Sequence, residues 1–315
     1  MKKILVVCII IGVILLAAGG VVLGLAIKNH QTVEPTETHT YTLEGDITNI
    51  NVDVSIAKVK FVASEEGKKE VVCVDSEKHY HTAAVENGTL NIKYVDASKW
   101  YEGVFSFNSE LSVTIYIPAG EYDTLRCEAS TGSIEIPADF TFNSANIEVS
   151  TGTVLINSNI KGALNVTAST GAVYVKDLSA KSLNAKASTG AVRIENVTVE
   201  DGAVVETSTG KSEMSNLTAK SLNVNASTGN VTLSNTVIAE AIVIETSTGN
   251  VRFNDSDGAS IKVTTDTGDV EGTVLTSKIF YAKSDTGRID VPIGTSGGVF
   301  EIKTDTGDIS LRIKA

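Results

Sequence analysis

Apolar and polar residues alternate along most of this 315-residue chain. The pattern is clearest in short segments such as residues 222–226 and 231–233, where every second residue is apolar or small and the residues between are polar. A period of two places successive side chains on opposite faces of an extended backbone, so each segment predicts a half-buried β-strand. Most of the chain is therefore predicted to be all-β.

A tripeptide, Ser-Thr-Gly or Asp-Thr-Gly, interrupts the alternation ten times at spacings of 19 or 20 residues. With each glycine as position zero, positions −7, −5, −3, +2 and +4 carry no charged residue in any copy. The step from −3 to +2 is odd, so the alternation changes phase and the backbone must turn a corner, which glycine permits by reaching positive φ. The ten corner glycines are Gly132, Gly152, Gly171, Gly190, Gly210, Gly229, Gly249, Gly268, Gly287 and Gly307.

One strand–corner–strand unit cannot close a core alone, so the units are predicted to stack as a β-solenoid of roughly ten coils. Residues 51–61 align in phase with residues 223–233 and place Ala57 at the glycine position, which predicts a degenerate first coil. Further strands are predicted near residues 70–74, 89–95 and 111–117, with a turn at Asn87-Gly88. These strands would cap the exposed end of the ladder.

An uninterrupted apolar run without a charged residue occupies residues 4–27. As a helix it would measure about 36 Å, enough to cross a hydrocarbon core of about 30 Å. Lys2 and Lys3 precede it and favour a cytoplasmic N-terminus with the bulk of the chain outside. We therefore expect a single-pass protein of the cell membrane. A cleaved signal peptide is the alternative, although the run continues past the small residues 17–19.

These patterns predict four parts. Residues 1–27 are the cytoplasmic tip and transmembrane anchor, and residues 28–40 are a polar linker. Residues 41–125 form an N-terminal β region with the degenerate first coil and the cap. Residues 126–315 form the repeat solenoid.

The formal charge of −12 argues against nucleic acid or anionic lipid headgroups as the main partner, because both would be repelled. A divalent cation or a basic surface is more compatible. Only two of the three cysteines, Cys73 and Cys127, lie outside the apolar run. We interpret them as separate core thiols, with a single bridge between them as the alternative.

Three corners carry the Asp-Thr-Gly tripeptide of aspartic proteases, at Asp266, Asp285 and Asp305. Protease chemistry needs two carboxylates that face each other and share a proton, whereas a solenoid stacks them along one edge. We therefore predict structural corners with a solvated acidic edge and no catalytic residue. A Ca²⁺ site on the stacked carboxylates is the alternative, and no other cofactor is predicted.

Two further groups of residues have candidate chemistry. His79 and His81 share one face of a strand and offer two imidazoles for zinc, but the sequence shows no third ligand. Aromatic residues are concentrated shortly afterwards and predict either the core of the cap or a contact surface for carbohydrate or protein. These aromatic residues are Trp100, Tyr101, Phe105 and Phe107.

The join ahead of the repeats, residues 111–118 followed by Glu121 and Tyr122, resembles the DUF4097 family of bacterial "putative adhesin" proteins with β-strand repeats. With the run of Ser/Asp-Thr-Gly repeats, the resemblance covers roughly residues 45–315. It implies a repeat-built bacterial envelope protein. Some members with one N-terminal transmembrane segment occur beside envelope-stress genes in Gram-positive bacteria. The resemblance implies no ligand and no catalytic residue.

Three classes of function remain open. The first is an extracytoplasmic binding or scaffold module in adhesion or envelope stress, in contact with the lipid bilayer through residues 4–27 and with an envelope protein or glycan. The second is a structural stalk. The third, a solenoid enzyme acting on polysaccharide, is less favoured because no histidine follows His81, so the repeats lack a general base near neutral pH. We therefore expect no enzyme.

Overall fold

The computed structural model describes residues 35–98 and 111–314, which form 24 β-strands and one 3-10 turn, Glu65–Gly67. The strands of the N-terminal region are β1 (Thr36–Thr42), β2 (Asn49–Ile56), β3 (Lys58–Ser64), β4 (Glu70–Ser76), β5 (His79–Glu86), β6 (Thr89–Asp96) and β7 (Ser112–Pro118). All 24 strands belong to one hydrogen-bonded sheet. No helix of membrane-spanning length and hydropathy occurs in these two segments. The predicted anchor at residues 4–27 lies outside them.

The repeats supply the remaining strands. They are β8 (Gly120–Ile136), β9 (Phe140–Ile156), β10 (Asn159–Thr170), β11 (Val173–Thr189), β12 (Val192–Val199), β13 (Gly202–Thr209), β14 (Ser212–Ala219), β15 (Ser221–Thr228), β16 (Val231–Ser234), β17 (Val237–Thr248), β18 (Val251–Asn254), β19 (Asp257–Thr267), β20 (Val270–Val274), β21 (Lys278–Thr286), β22 (Ile289–Asp290), β23 (Gly298–Thr306) and β24 (Ile309–Ile313).

From the Gly132 repeat to the Gly268 repeat, successive repeats pair in parallel and in register. Leu222 lies opposite Ile242 and Val224 opposite Ile244, so each offset from the corner glycine pairs with the same offset in the next coil. The pattern continues along the ladder, and the predicted all-β solenoid of about ten turns is confirmed.

The core occupies the interior of the coils, at the offsets that the sequence predicted. In nine of the ten repeats, positions −7, −5, −3, +2 and +4 are all buried except Gly272. The exception is the Gly287 repeat, in which none of the five is fully buried. That repeat is therefore the end of the solenoid rather than an interior coil.

The last three coils do not stack in chain order. Strand β23 pairs with β19 on one side and with β21 on the other, and β24 lies in the same way between β20 and β22. The Gly307 coil is thus inserted between the Gly268 and Gly287 coils. The order of these coils in space therefore differs from their order in the sequence.

The N-terminal end repeats this arrangement. Strand β2 lies between β6 and β8, and β3 between β7 and β8, all in parallel. Strands β2 and β3 form a coil that stacks on the first repeat, with Val52 opposite Cys127 and the Ala57 amide donating to the Thr131 carbonyl. The chain then crosses from β7 over this coil to reach β8.

The Glu121-Tyr122 join holds that crossing in place. The Tyr122 hydroxyl donates to the Pro118 carbonyl oxygen at 2.7 Å, and its ring packs against Phe140 and Phe142. Burial raises the pKa of Tyr122 to about 12. The buried tyrosine therefore connects the cap to the first repeats.

Antiparallel strands complete the cap. Strand β4 pairs with β7, β1 pairs with β4, and β5 pairs with β6 through the predicted Asn87-Gly88 turn, whose φ angles are 51° and 76°. Both angles are positive, as a two-residue hairpin turn of this type requires. Residues 36–40, which the sequence assigned to the linker, lie within β1.

A second corner, unforeseen from the sequence, lies six residues after the glycine. Its residues have left-handed φ angles between 48° and 55°, a conformation that Asn and Asp tolerate better than other side-chain-bearing residues. Their side chains also form a ladder, in which Asn216 Nδ2 donates to Asn196 Oδ1 at 2.7 Å. The residues of this corner are Asp177, Asn196, Asn216, Asn235 and Asp255.

Candidate functional site

The glycine corners are positions of close backbone approach. Gly210 has a φ of 150°, and a Cβ atom built on it would lie 1.8 Å from the carbonyl oxygen of Gly190. Every one of the ten corner glycines would place a Cβ atom within 2.1 Å of a neighbouring corner's carbonyl oxygen. Stacking therefore explains the repeated glycine.

The three Asp-Thr-Gly corners lie in consecutive coils in the spatial order Asp266, Asp305, Asp285. Lys303 forms an ion pair with Asp305 at 3.1 Å, and Lys283 forms one with Asp285 at 2.9 Å. A hydrogen bond from Lys283 holds the pKa of Asp285 below its ordinary value. The carboxylates follow one edge of the solenoid and do not face each other in the manner of a protease pair.

A groove of about 630 Å³ runs along the same edge across five coils, from the Gly190 coil to the Gly268 coil. We name it the corner groove. Two rows of side chains line it, at positions −4 and −2 from the glycine, above the small side chains of position −3. The rows consist of Lys186, Glu206, Asn225, Glu245 and Thr264, and of Ser208, Ser227, Ser247 and Asp266.

The corner groove is polar and acidic. Its lining has three carboxylates and one lysine, and that lysine, Lys186, forms an ion pair with Glu206 at 2.9 Å. The hydroxyl of Thr246 lies buried in the lining, and residues 35–98 and 111–314 offer it no hydrogen-bond partner. None of the described residues that line this groove is a histidine or a cysteine. The groove can therefore donate and accept hydrogen bonds along a polymer, but it offers no imidazole or thiol for catalysis.

A second cluster lies inside the cap. Cys73 and Asp75 on β4 and His81 on β5 are fully buried, and one ligand atom from each lies within 4.8 Å of the others. Strands β4 and β5 are not paired with each other, so the residues meet across the interior of the cap. Among the described residues, no other set of three His, Cys, Asp or Glu side chains brings its ligand atoms within this distance of one another.

The Asp75 carboxylate clamps His81. One oxygen lies 2.6 Å from His81 Nδ1, and the other accepts the His81 backbone amide at 3.0 Å. The remaining ring nitrogen, Nε2, is buried and has no hydrogen-bond partner among the described residues. Burial, with a contribution from Asp75, raises the pKa of Cys73 to about 12, so the thiol is neutral at physiological pH.

Of this cluster, His81 was predicted from the sequence as a candidate ligand, whereas Cys73 and Asp75 were not. His79, the expected companion of His81, instead lies 2.6 Å from the Tyr94 hydroxyl through its Nδ1 atom. Cys73 and Asp75 were missed because their strand reaches His81 only by packing, although their alternate spacing on β4 placed both on one face. Cys73 and Cys127 are both free thiols, one in the cap and one in the first repeat. The aromatic group Trp100, Tyr101, Phe105 and Phe107 lies outside the described residues.

A parallel β-solenoid with a repeated glycine corner and an antiparallel cap defines the chain as a β-strand repeat protein. The family profile described as Toastrack DUF4097 matches residues 47–312, and the chain belongs to this family. No curated protein matches the chain significantly.

Solved structures share the fold. A "putative adhesin" from Parabacteroides merdae is 14% identical, with a TM-score of 0.53 over 75% of this chain and 95% of its own. A "putative lipid binding protein" from Parabacteroides distasonis is 20% identical, with a TM-score of 0.48 over 84% of this chain and 96% of its own. The similarity to the first establishes the fold alone.

Proposed function

We propose that this chain is a non-catalytic binding or scaffold module of the bacterial cell envelope, and that the corner groove is its binding surface. The observation that carries the proposal is the groove itself, which equivalent positions of five successive coils line with hydroxyl, amide and charged groups. A stalk that served only as a spacer would have no need of such a groove.

The groove suits an extended partner. Its five coils are separated by four steps of about 4.8 Å, so its polar groups repeat along roughly 19 Å. A peptide or glycan chain lying along it would meet similar hydrogen-bonding groups at every step. Three carboxylates against one lysine favour a partner that presents basic groups, in agreement with the net charge of −12.

The proposal places the solenoid outside the cytoplasm, held at the membrane by residues 4–27. The support is the charge-free apolar run with Lys2 and Lys3 before it. Protease added to intact cells should then remove the repeats while cytoplasmic control proteins survive. Repeats that persist while known outer domains are cut would contradict this topology.

Binding can be tested with the full-length chain in lipid nanodiscs and a fluorescent lysine-rich peptide. The groove variant combines Glu206→Gln, Glu245→Gln and Asp266→Asn. A matched control removes three charges from the opposite flank, which is formed by β12, β14 and β20, through Glu195→Gln, Glu213→Gln and Glu271→Gln. We expect the groove variant to weaken binding and the control to bind as the wild type does. Equal losses in both would show nonspecific attraction and contradict the proposal.

A further inference from the structure

We propose that the cap holds one thiophilic divalent cation of the zinc class, bound by Cys73, His81 and His39, with Asp75 orienting His81. None of these residues lines the corner groove. The inference is therefore independent of the proposed function.

The first observation is a buried nitrogen with nothing to bind. His81 is fully buried, and its Nε2 atom has no hydrogen-bond partner in the described residues. Leaving a polar atom unsatisfied in the interior is costly, so such atoms are rare in native proteins and call for an explanation. A metal ion at Nε2 supplies that explanation.

The second observation is the clamp on the other side of the ring. Asp75 is a hydrogen-bond acceptor at 2.6 Å from His81 Nδ1, which places the ring proton on Nδ1 and leaves a free lone pair on Nε2. The second Asp75 oxygen accepts the His81 amide at 3.0 Å and fixes the carboxylate. A carboxylate that holds the distal nitrogen of a histidine is the usual outer support of a zinc-binding imidazole.

The third observation is the thiol beside the ring. Cys73 is fully buried within the same cluster. Thiolate and imidazole together select zinc-class ions over Ca²⁺ or Mg²⁺, which prefer oxygen ligands. Binding forms one sulfur–metal bond and breaks the S–H bond, so one proton per ion is released to solvent.

The third ligand comes from β1. His39 lies directly opposite Cys73 in the antiparallel β1–β4 ladder, so the two side chains leave the same face with Cβ atoms about 5 Å apart. His39 is exposed and lines a pocket of about 410 Å³ together with Tyr41, Ser76 and Tyr80. This pocket gives solvent access to the His39 side of the proposed site.

The three ligands belong to β1, β4 and β5. An ion bound between them would add a further link to the β1–β4 ladder and to the hydrogen bonds that Asp75 and Tyr41 make with His81. Because the ion binds the folded cap and not the unfolded chain, it should raise the stability of the cap by mass action.

The test uses Co²⁺, whose thiolate complexes have a strong charge-transfer absorption. The full-length Cys8→Ala chain, freed of metal with a chelator, is titrated with Co²⁺ and then with competing Zn²⁺. We expect saturation at one ion per chain, the charge-transfer band, and its loss as Zn²⁺ displaces Co²⁺. A chain that binds no Co²⁺, or binds it without the thiolate band, would overturn the proposal.

Two variants locate the ligands. Cys127→Ala removes the other buried thiol and should leave the band unchanged, whereas Cys73→Ala should abolish it. His39→Ala changes an exposed residue that the fold does not need, and should weaken Co²⁺ binding at least ~10-fold while circular dichroism stays the same. Wild-type affinity in His39→Ala, or loss of the band in Cys127→Ala, would contradict the proposed ligand set.

Discussion

Lys278 Nζ lies 2.6 Å from Asp257 Oδ1, although their strands are not neighbours in the ladder. Strand β21 begins at Lys278 and β19 at Asp257, and β23 is inserted between them. Gly298 of β23 stands opposite Lys278. The two charges are 2% and 6% exposed. The ion pair therefore links the two coils that lie on either side of the inserted coil.

Removing one member of this pair should destabilise the solenoid. Lys278→Met leaves Asp257 buried without its counter-charge, although Gly258 and Thr276 still donate hydrogen bonds to it, and removing one partner of a buried pair costs about 3–5 kcal/mol in comparable cases. The double variant Lys278→Met/Asp257→Asn should recover part of that loss, because it leaves no buried charge. Urea unfolding gives both values. The control is Lys262→Met, which changes an exposed lysine on β19. A loss of stability in this control as large as that of Lys278→Met would contradict the structural role of the ion pair.

The smallest substitution at a corner should already be severe. Gly210→Ala adds a Cβ atom 1.8 Å from the backbone of the adjacent corner, a clash that no side-chain rotation can relieve. We expect a loss of at least ~3 kcal/mol in the free energy of unfolding, beyond the cost of backbone strain alone. Asn223→Ala, at an exposed position of the next coil, should be close to neutral. Similar unfolding midpoints for the two variants would refute the stacking account.

Tyr122 should make the fold sensitive to alkali. Its pKa is about 12 when folded and has its ordinary value of 10 when unfolded, so the unfolded chain loses the proton first. The contribution of Tyr122 to stability is complete below pH 10. As the pH rises from 10 to 12, the free energy of unfolding should fall by about 2–3 kcal/mol. Tyr122→Phe should be about 1 kcal/mol less stable at neutral pH, because it loses the hydrogen bond to Pro118. Above pH 10 its free energy of unfolding should fall less steeply with pH than that of the wild type.

The pH dependence of unfolding in these two proteins and in Tyr281→Phe, whose parent side chain is 61% exposed, checks this account. Tyr281→Phe should follow the wild type. A Tyr122→Phe variant with the full wild-type loss at high pH would show that some other group titrates.

The acidic corners should accept serine. Asp266→Ser, Asp285→Ser and Asp305→Ser together copy the seven other repeats, so the fold should survive with a melting temperature close to that of the wild type. Relief of repulsion between stacked carboxylates opposes the loss of the ion pairs with Lys283 and Lys303. If Ca²⁺ binds there, adding it raises the melting temperature of the wild type and not of the triple variant. A triple variant that unfolds in chelator would contradict the structural role given to these corners.

Local patterns in the sequence were sufficient for the coil. The odd step from position −3 to +2 gave the glycine corner, and the apolar offsets gave the core, because both depend on residues close together in the chain. The second corner had a readable signal that went unused, since Asn or Asp recurs six residues after the glycine at positions such as Asn196 and Asn216.

The order of the coils could not be obtained in this way. Repeats of equal length and similar composition can pair in several orders, and the insertion of the Gly307 coil depends on contacts such as that between Lys278 and Asp257. The cluster inside the cap could not be predicted for the same reason. Cys73 and His81 lie on strands that do not pair, so neither period nor spacing brings them together.

Photocrosslinking in intact cells tests whether the corner groove is a binding surface. A photoreactive residue replaces either Asn225 in the groove or Thr232 on the opposite flank, both half-buried in the Gly229 coil. We predict a discrete adduct from position 225, its loss when Glu206→Gln, Glu245→Gln and Asp266→Asn are added, and no adduct from position 232. The absence of any adduct at position 225, or the same adducts from both positions, would contradict a binding function for the groove.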